Sequence, residues 1–155
     1  MADTGMLNQA DHLLGLDSQL CFLLYSSSRK MTSMYRPLLE KLGLTYPQYL
    51  VMLVLWEQAQ SRQETPVKLL GERLMLDTGT LTPLLKRMEQ QGWLTRSRAA
   101  YDERVVLIKL TDSGSTLKAA AEDIPRMLLC QSNLASEDLL RLREQLRNLL
   151  KQLTP

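Results

Sequence analysis

Most apolar residues of this chain recur every three to four positions, the spacing of helices with one buried face. Leu20, Leu23, Leu24, Met31, Met34, Tyr35 and Leu38 predict a first helix capped by Asp17 or Ser18, and Ser26-Ser27-Ser28-Arg29-Lys30 interrupts its stripe. Thr45 with Gln48 is a capping-box pattern, Pro47 falls in the first turn where its missing N–H is not needed, and residues 49–56 are the apolar run of a second helix. Residues 58–64 read as a polar loop. Thr65-Pro66 then opens a third helix through Leu69, Leu70, Leu74 and Met75, and Asp77-Thr78-Gly79-Thr80 supplies a turn and the cap of a fourth. A start at Gly79 or Thr80 leaves Pro83 in the first turn, whereas an earlier start implies a bend there. Gly92 is suited to end that helix. Residues 94–98 and 105–110 read as two strands around a polar turn. A fifth helix runs from Thr111 past Leu117 toward Met127, Leu128 and Leu129, with Pro125 expected to kink or break it. Ser136 caps a final helix carrying Leu139, Leu140, Leu142, Leu146, Leu149, Leu150 and Leu153.

The pattern predicts a mainly α fold with a small β-hairpin, and its third and fourth helices have helix-turn-helix spacing. Charge sharpens this reading. The window 80–110 holds Lys86, Arg87, Arg96, Arg98, Arg104 and Lys109 against Glu89, Asp102 and Glu103, a net +3 in a chain whose formal net charge is +2. A basic helix followed by a basic hairpin outlines a winged helix, with one element for the major groove and one for the phosphates or minor groove beside it. The partner expected is double-stranded DNA. The leucines of the first and last helices exceed what a small winged core covers, so a second copy of the chain is expected to pack on them. A symmetric dimer would read a pseudo-palindromic operator.

At 155 residues and 45% hydrophobic the chain has one domain's worth of core. Its apolar runs stop well short of the roughly 18 residues of a membrane span. The first fifteen residues, with Asp3, Asp11 and His12, lack the basic start and apolar core of a secretory signal, and a cytoplasmic location is expected. The only histidine, His12, and two distant cysteines, Cys21 and Cys130, cannot assemble a metal site, and no C-x-x-C motif occurs. No membrane, metal, cofactor or enzymatic activity is expected, thiol peroxidase included. In a reducing compartment the cysteines are either buried thiols or redox devices. A lone cysteine in an apolar helix is commonly an inert core residue. A cap at Asp17 or Ser18 instead puts Cys21 in the first turn, where the helix dipole favours thiolate although Asp17 opposes it.

The segment Asp77-Thr78-Gly79-Thr80-Leu81-Thr82-Pro83-Leu84-Leu85-Lys86-Arg87-Met88-Glu89-Gln90-Gln91-Gly92, with Asp102-Glu103-Arg104 and the Leu110-Thr111 junction, resembles the DNA-binding core of MarR-family repressors. Gln19-Leu20-Cys21-Phe22-Leu23-Leu24-Tyr25, followed by Tyr35, Pro37 and Leu44-Thr45-Tyr46-Pro47-Gln48-Tyr49-Leu50, is similar to the organic-hydroperoxide-resistance branch. The resemblance runs from about Asp17 to Pro125. It implies a single domain, 1–155, with a winged helix-turn-helix part at 46–112 and dimerisation helices at 13–45 and 113–155, joined as a homodimer. The fourth helix would present Thr78, Thr80, Thr82, Lys86 and Arg87 to the major groove, the two cations meeting phosphates rather than bases. Arg96 and Arg98 would add to the basic face. Arg104 at the wing tip resembles the family's minor-groove arginine, with Asp102 as its salt-bridge partner; an ordinary solvated ion pair is the alternative.

The resemblance also implies redox chemistry at Cys21. In this branch the peroxide-reactive cysteine is hydrogen-bonded by two tyrosines, which map onto Tyr35 and Tyr46, and a phenol O–H donated to a thiolate lowers its pKa. Buried rings with locally satisfied hydroxyls are the alternative for both. Phe22, Leu23, Leu24, Tyr25 and Met34 would line the site, or simply fill a core. Cys130, absent from single-cysteine members, resembles the second thiol of the two-cysteine type, in which it bridges to the N-terminal cysteine of the other subunit. The function implied is a thiol-based repressor that binds its operator when reduced and is released by organic hydroperoxide. The competing readings are a repressor controlled by a non-covalent small ligand with passive cysteines, and a protein-interaction module that binds no duplex.

Overall fold

The computed structural model describes residues 14–61, 63–132 and 134–154. Asp3, Asp11 and His12, and with them the reading of the N-terminal segment, lie outside the described residues. A 3-10 turn, Leu16–Ser18, precedes α1, Leu20–Glu40. The cap is therefore Gln19 rather than Asp17 or Ser18, because the amides of Ser18 and Gln19 bond back to Gly15 and Leu16 in the turn. In α2, Tyr46–Ser61, the Gln48 side-chain Oε1 accepts the Thr45 N–H at 2.8 Å, one half of the expected capping box. Buried Val51, Met52, Val54, Leu55 and Trp56 lie around most of its circumference, so α2 is the central helix of the core. It extends into the stretch expected as loop. Glu57 is paired with Arg73 at 2.6 Å and Ser61 bonds the Gln58 carbonyl, which hold that last turn.

Thr65-Pro66 does not open the third helix. It forms β1, a two-residue strand paired with Ile108 and Leu107, and α3 follows as Val67–Leu74. Two residues are too few to display a strand period. Pro66 is tolerated because β1 is an edge strand in the order β1-β3-β2. α4, Thr78–Gln90, is capped by Asp77, whose carboxylate accepts from the Thr80 N–H and hydroxyl at 2.9 and 2.8 Å. Starting at Thr78 puts Pro83 inside the helix rather than in its first turn, and the Gly79 carbonyl loses the N–H that position would otherwise supply. Leu81, Leu85 and Met88 form the buried face. Gly92, at φ 78°, ends the helix, with its N–H on the Glu89 carbonyl and that of Trp93 on the Met88 carbonyl, a complete Schellman closure.

β2, Leu94–Arg98, and β3, Val106–Leu110, pair antiparallel from Leu94↔Leu110 to Arg98↔Val106. The hairpin base is pinned by Thr111, whose hydroxyl donates to the Gly92 carbonyl at 2.6 Å and accepts the Gly114 N–H at 3.1 Å. α5, Asp112–Ala121, stops before α6, Ile124–Gln131, with Pro125 in the first turn of the new helix, so the proline breaks rather than bends the segment. The last helix, α7, is Ser136–Leu153; its cap is Ala135, and Ser136 is the first helical residue without a capping bond. The fold is thus mainly helical with a three-stranded sheet, and α3, α4 and the hairpin make a winged helix-turn-helix. α6 packs against α1, while α7 buries none of its residues in its own chain. Among the described residues, no helix is long and apolar enough to cross a membrane.

Candidate functional site

The outward side of α4 follows from its burial. With Leu81, Leu85 and Met88 turned into the core, Thr78, Thr80, Lys86 and Arg87 are exposed and Thr82 is half-buried. Thr80 is tied to Asp77, and the Thr82 hydroxyl donates to the Thr78 carbonyl at 2.8 Å. Lys86 and Arg87 make no ion pair with the described residues. Two free cations beside short hydroxyls suit a polyanion.

At the wing tip Asp102 accepts the Arg104 N–H at 2.9 Å and its Nε–H at 3.2 Å, a two-residue loop that aims a guanidinium 92% exposed into solvent. The hydrogen bonds from Arg104, backbone first, hold the Asp102 carboxyl below its ordinary range, and those from Thr80, hydroxyl first, do the same for Asp77. Arg98 bonds the Glu103 carbonyl across the same turn. Arg96 stands apart. Its backbone N–H and Nε–H both go to the carboxylate of Glu89, at 2.9 and 2.8 Å, and the pair is half-buried. The sequence reading counted Glu89 only as charge and missed its pairing with Arg96; an acidic residue in the last turn of an otherwise basic helix was the available signal. A cavity of about 770 Å³ opens between α3, α4 and the wing, lined by Lys68, Asp77, Thr82, Arg96 and Arg104 among others.

Cys21, the second residue of α1, and Cys130, near the end of α6, are both free and exposed. The inert-core reading therefore does not hold within the single chain. Leu20, Leu23 and Tyr25 beside Cys21 are likewise exposed, so they do not fill a core there. Tyr35 and Tyr46 lie together, ring centroids 4.9 Å apart, and Tyr49 and Trp56 continue the cluster inward at 5.9 and 6.5 Å. Burial pushes the phenols of Tyr35, Tyr46 and Tyr49 above their ordinary value. The structure does not bring Cys21 to the tyrosine pair within one chain. Cys21 and Tyr35 share α1 at a separation of fourteen residues, about 21 Å at the helical rise. Among the described residues no group of three or more His, Cys, Asp or Glu could hold a metal ion.

A family model described as transcriptional regulator SarA/Rot matches residues 33–121. The organic hydroperoxide resistance transcriptional regulator of Bacillus subtilis (strain 168) is 55% identical over 148 residues, covering 96% of this chain and 97% of that protein. The structure of reduced AbfR bound to DNA, from a protein of Staphylococcus epidermidis, aligns with a TM-score of 0.74 at 35% identity, covering 95% of this chain and 100% of the other. The disulfide form of AbfR aligns at 0.61 and 35%, covering 90% and 96%. The matched segment runs from the second half of α1 through the whole reading head to α5, and the chain belongs to the SarA/Rot family of transcriptional regulators, with a MarR-like winged helix.

Proposed function

We propose that this chain is a cytoplasmic, thiol-based repressor that binds a pseudo-palindromic operator as a reduced dimer and is released when organic hydroperoxide oxidises Cys21. The observation that carries the reading is an exposed cysteine in the first turn of a helix whose Leu20, Leu23 and Tyr25 its own chain leaves exposed. The Bacillus relative named for organic hydroperoxide resistance and the disulfide form of AbfR support it. Residues 46–112 read the DNA, through Thr78, Thr80, Thr82, Lys86 and Arg87 in the major groove and Arg104, steadied by Asp102, at the wing; Arg98 adds charge beside them. Residues 13–45 and 113–155 make the dimer. Tyr35 and Tyr46 of one subunit serve Cys21 of the other, a reading supported by the roughly 21 Å along α1 between Cys21 and Tyr35 and by the packing of Tyr46 on Tyr35.

The chemistry balances without a cofactor. The Cys21 thiolate attacks the terminal oxygen of the hydroperoxide, an S–O bond forms as the O–O bond breaks, and the alkoxide leaves as alcohol after taking a proton. The Cys130 thiolate of the other subunit then attacks the sulfenic sulfur, forming the disulfide and expelling hydroxide. Band-shift titration of a duplex from the region upstream of the chain's own gene tests this. Wild type should bind, release with cumene hydroperoxide and rebind after dithiothreitol, while Cys21→Ser should stay bound throughout. Peroxide-driven release of Cys21→Ser would defeat the thiol mechanism. Release of that variant by a small non-peroxide ligand would select the ligand-controlled alternative, for which the cavity beside Arg96 and Thr82 offers a seat.

A further inference from the structure

Arg96 lies on the wing strand nearest α4, where a DNA contact is the simplest expectation, yet its guanidinium is turned onto Glu89. β2 is an edge strand, so the N–H groups on its outer side have no ladder partner. Glu89 supplies one. Its Oε1 accepts the Arg96 N–H at 2.9 Å while its Oε2 accepts the Nε–H at 2.8 Å, across seven residues of chain. With the Arg96 and Glu89 side chains 27% and 34% exposed, this is the most enclosed ion pair among the described residues. The Arg96 bonds hold the Glu89 carboxyl below its ordinary value, so it remains a carboxylate at neutral pH.

Only Gln91, Gly92 and Trp93 connect α4 to β2, and Gly92 stands at φ 78°. The Schellman bonds close the helix but do not hold the strand beyond it. We propose that Glu89 is a positioning residue for DNA recognition, a carboxylate latch that fixes β2 against α4 so that Arg104 and the Lys86-Arg87 pair meet one duplex in a single register. The proposal rests on the DNA-binding reading above. Electrostatics and positioning predict opposite signs, which makes the latch testable. A carboxylate beside a phosphate surface opposes binding, so by charge alone Glu89→Gln should bind every duplex more tightly. If the latch sets the register, the same variant should bind the specific duplex more weakly.

The test uses the reduced full chain, the upstream duplex and a scrambled duplex of equal length, titrated over a salt series with wild type, Glu89→Gln, Arg96→Ala and the double variant. Glu89→Gln should lose roughly tenfold on the upstream duplex, the scale of coupling in one hydrogen-bond network, with affinity for the scrambled duplex unchanged or higher. Arg96→Ala should lose affinity without changing the salt slope, and the double variant should be no worse than the weaker single. Amide exchange at Arg96, measured without DNA, should quicken in Glu89→Gln and reports the latch in each folded variant. Equal or tighter binding of Glu89→Gln to the upstream duplex would overturn the latch. So would a salt slope reduced by about one in Arg96→Ala, because Arg96 would then be a phosphate contact. A wild type that binds neither duplex would remove the DNA-binding reading itself, an outcome separate from weakened binding in the variants alone.

Discussion

At Gly114 a single hydrogen atom decides whether the wing seats on the core. A Cβ there would stand 2.0 Å from the Trp93 carbonyl oxygen, the same oxygen that accepts the Thr111 N–H at the base of the hairpin. The Gly114 carbonyl in turn accepts the buried Trp56 indole N–H at 3.0 Å, so the backbone cannot retreat without losing that bond. Gly114→Ala should lower stability by roughly 1–3 kcal/mol, the range for overpacking, in urea unfolding followed by circular dichroism. Arg104 is the opposite case, a side chain almost wholly in solvent whose removal touches no core contact. Arg104→Ala should leave the unfolding midpoint unchanged yet weaken operator binding by about 1–3 kcal/mol, the value of one good groove contact. An equally tight complex in that variant would take the wing tip out of recognition.

Between elements, the packing of α1 on α2 is carried in part by Tyr35, Tyr46 and Tyr49. Their phenols ionise above the usual 10.0 when folded, because burial disfavours the charged form. The cluster's contribution is therefore intact below about pH 10 and lost as pH rises through the raised folded values, since the unfolded chain releases those protons first. Thermal melts should fall off steeply above about pH 10, and less steeply for Tyr35→Phe. The α7 helix has a different vulnerability. Leu139, Leu142, Leu146, Leu149 and Leu153 repeat at alternating steps of three and four, the seam of a coiled coil, yet none is buried in the single chain. Leu142→Glu with Leu146→Glu should leave the monomer's helical content intact and convert the proposed dimer to monomer in light scattering. Paired half-sites multiply affinity by about 10²–10⁴, so the same variant should lose most of its operator binding.

For the whole molecule, the two thiols can convert a covalent bond into a change of shape only if they come within disulfide reach, with Cα atoms about 4.4–6.8 Å apart. Cys130 lies near the end of α6, a helix packed against α1 and separated from α5 by the Pro125 break, so moving α6 does not require unfolding the reading head. Peroxide-treated wild type should run as a covalent dimer on a non-reducing gel and return to monomer with dithiothreitol. Cys130→Ser should stay monomeric there and accumulate sulfenic acid at Cys21, detected by dimedone labelling. A treated wild type that releases DNA but shows only monomer would exclude a bridge between subunits.

What the sequence determined alone is chemistry that acts within a few residues. Asp77 with Thr80, Thr45 with Gln48, Gly92 at a left-handed helix end and Pro125 at a helix break are each satisfied by their own neighbours, so the helices around them were legible in order and nearly in extent. Local cues also misplaced some boundaries. Ser136 had the right residue type for a cap but lies one position inside the helix, and Thr65-Pro66 was drawn into the wrong element because its partners, Ile108 and Leu107, lie some forty residues away. Tertiary structure alone decided that Arg96 faces Glu89, that Trp56 ties α2 to Gly114, and that Tyr35 packs on Tyr46 while Cys21 is left exposed. A side chain's residue type declares what bonds it can make. Which partner it meets depends on how separate elements are brought together, and that is set by burial of a shared core that no short window of sequence contains.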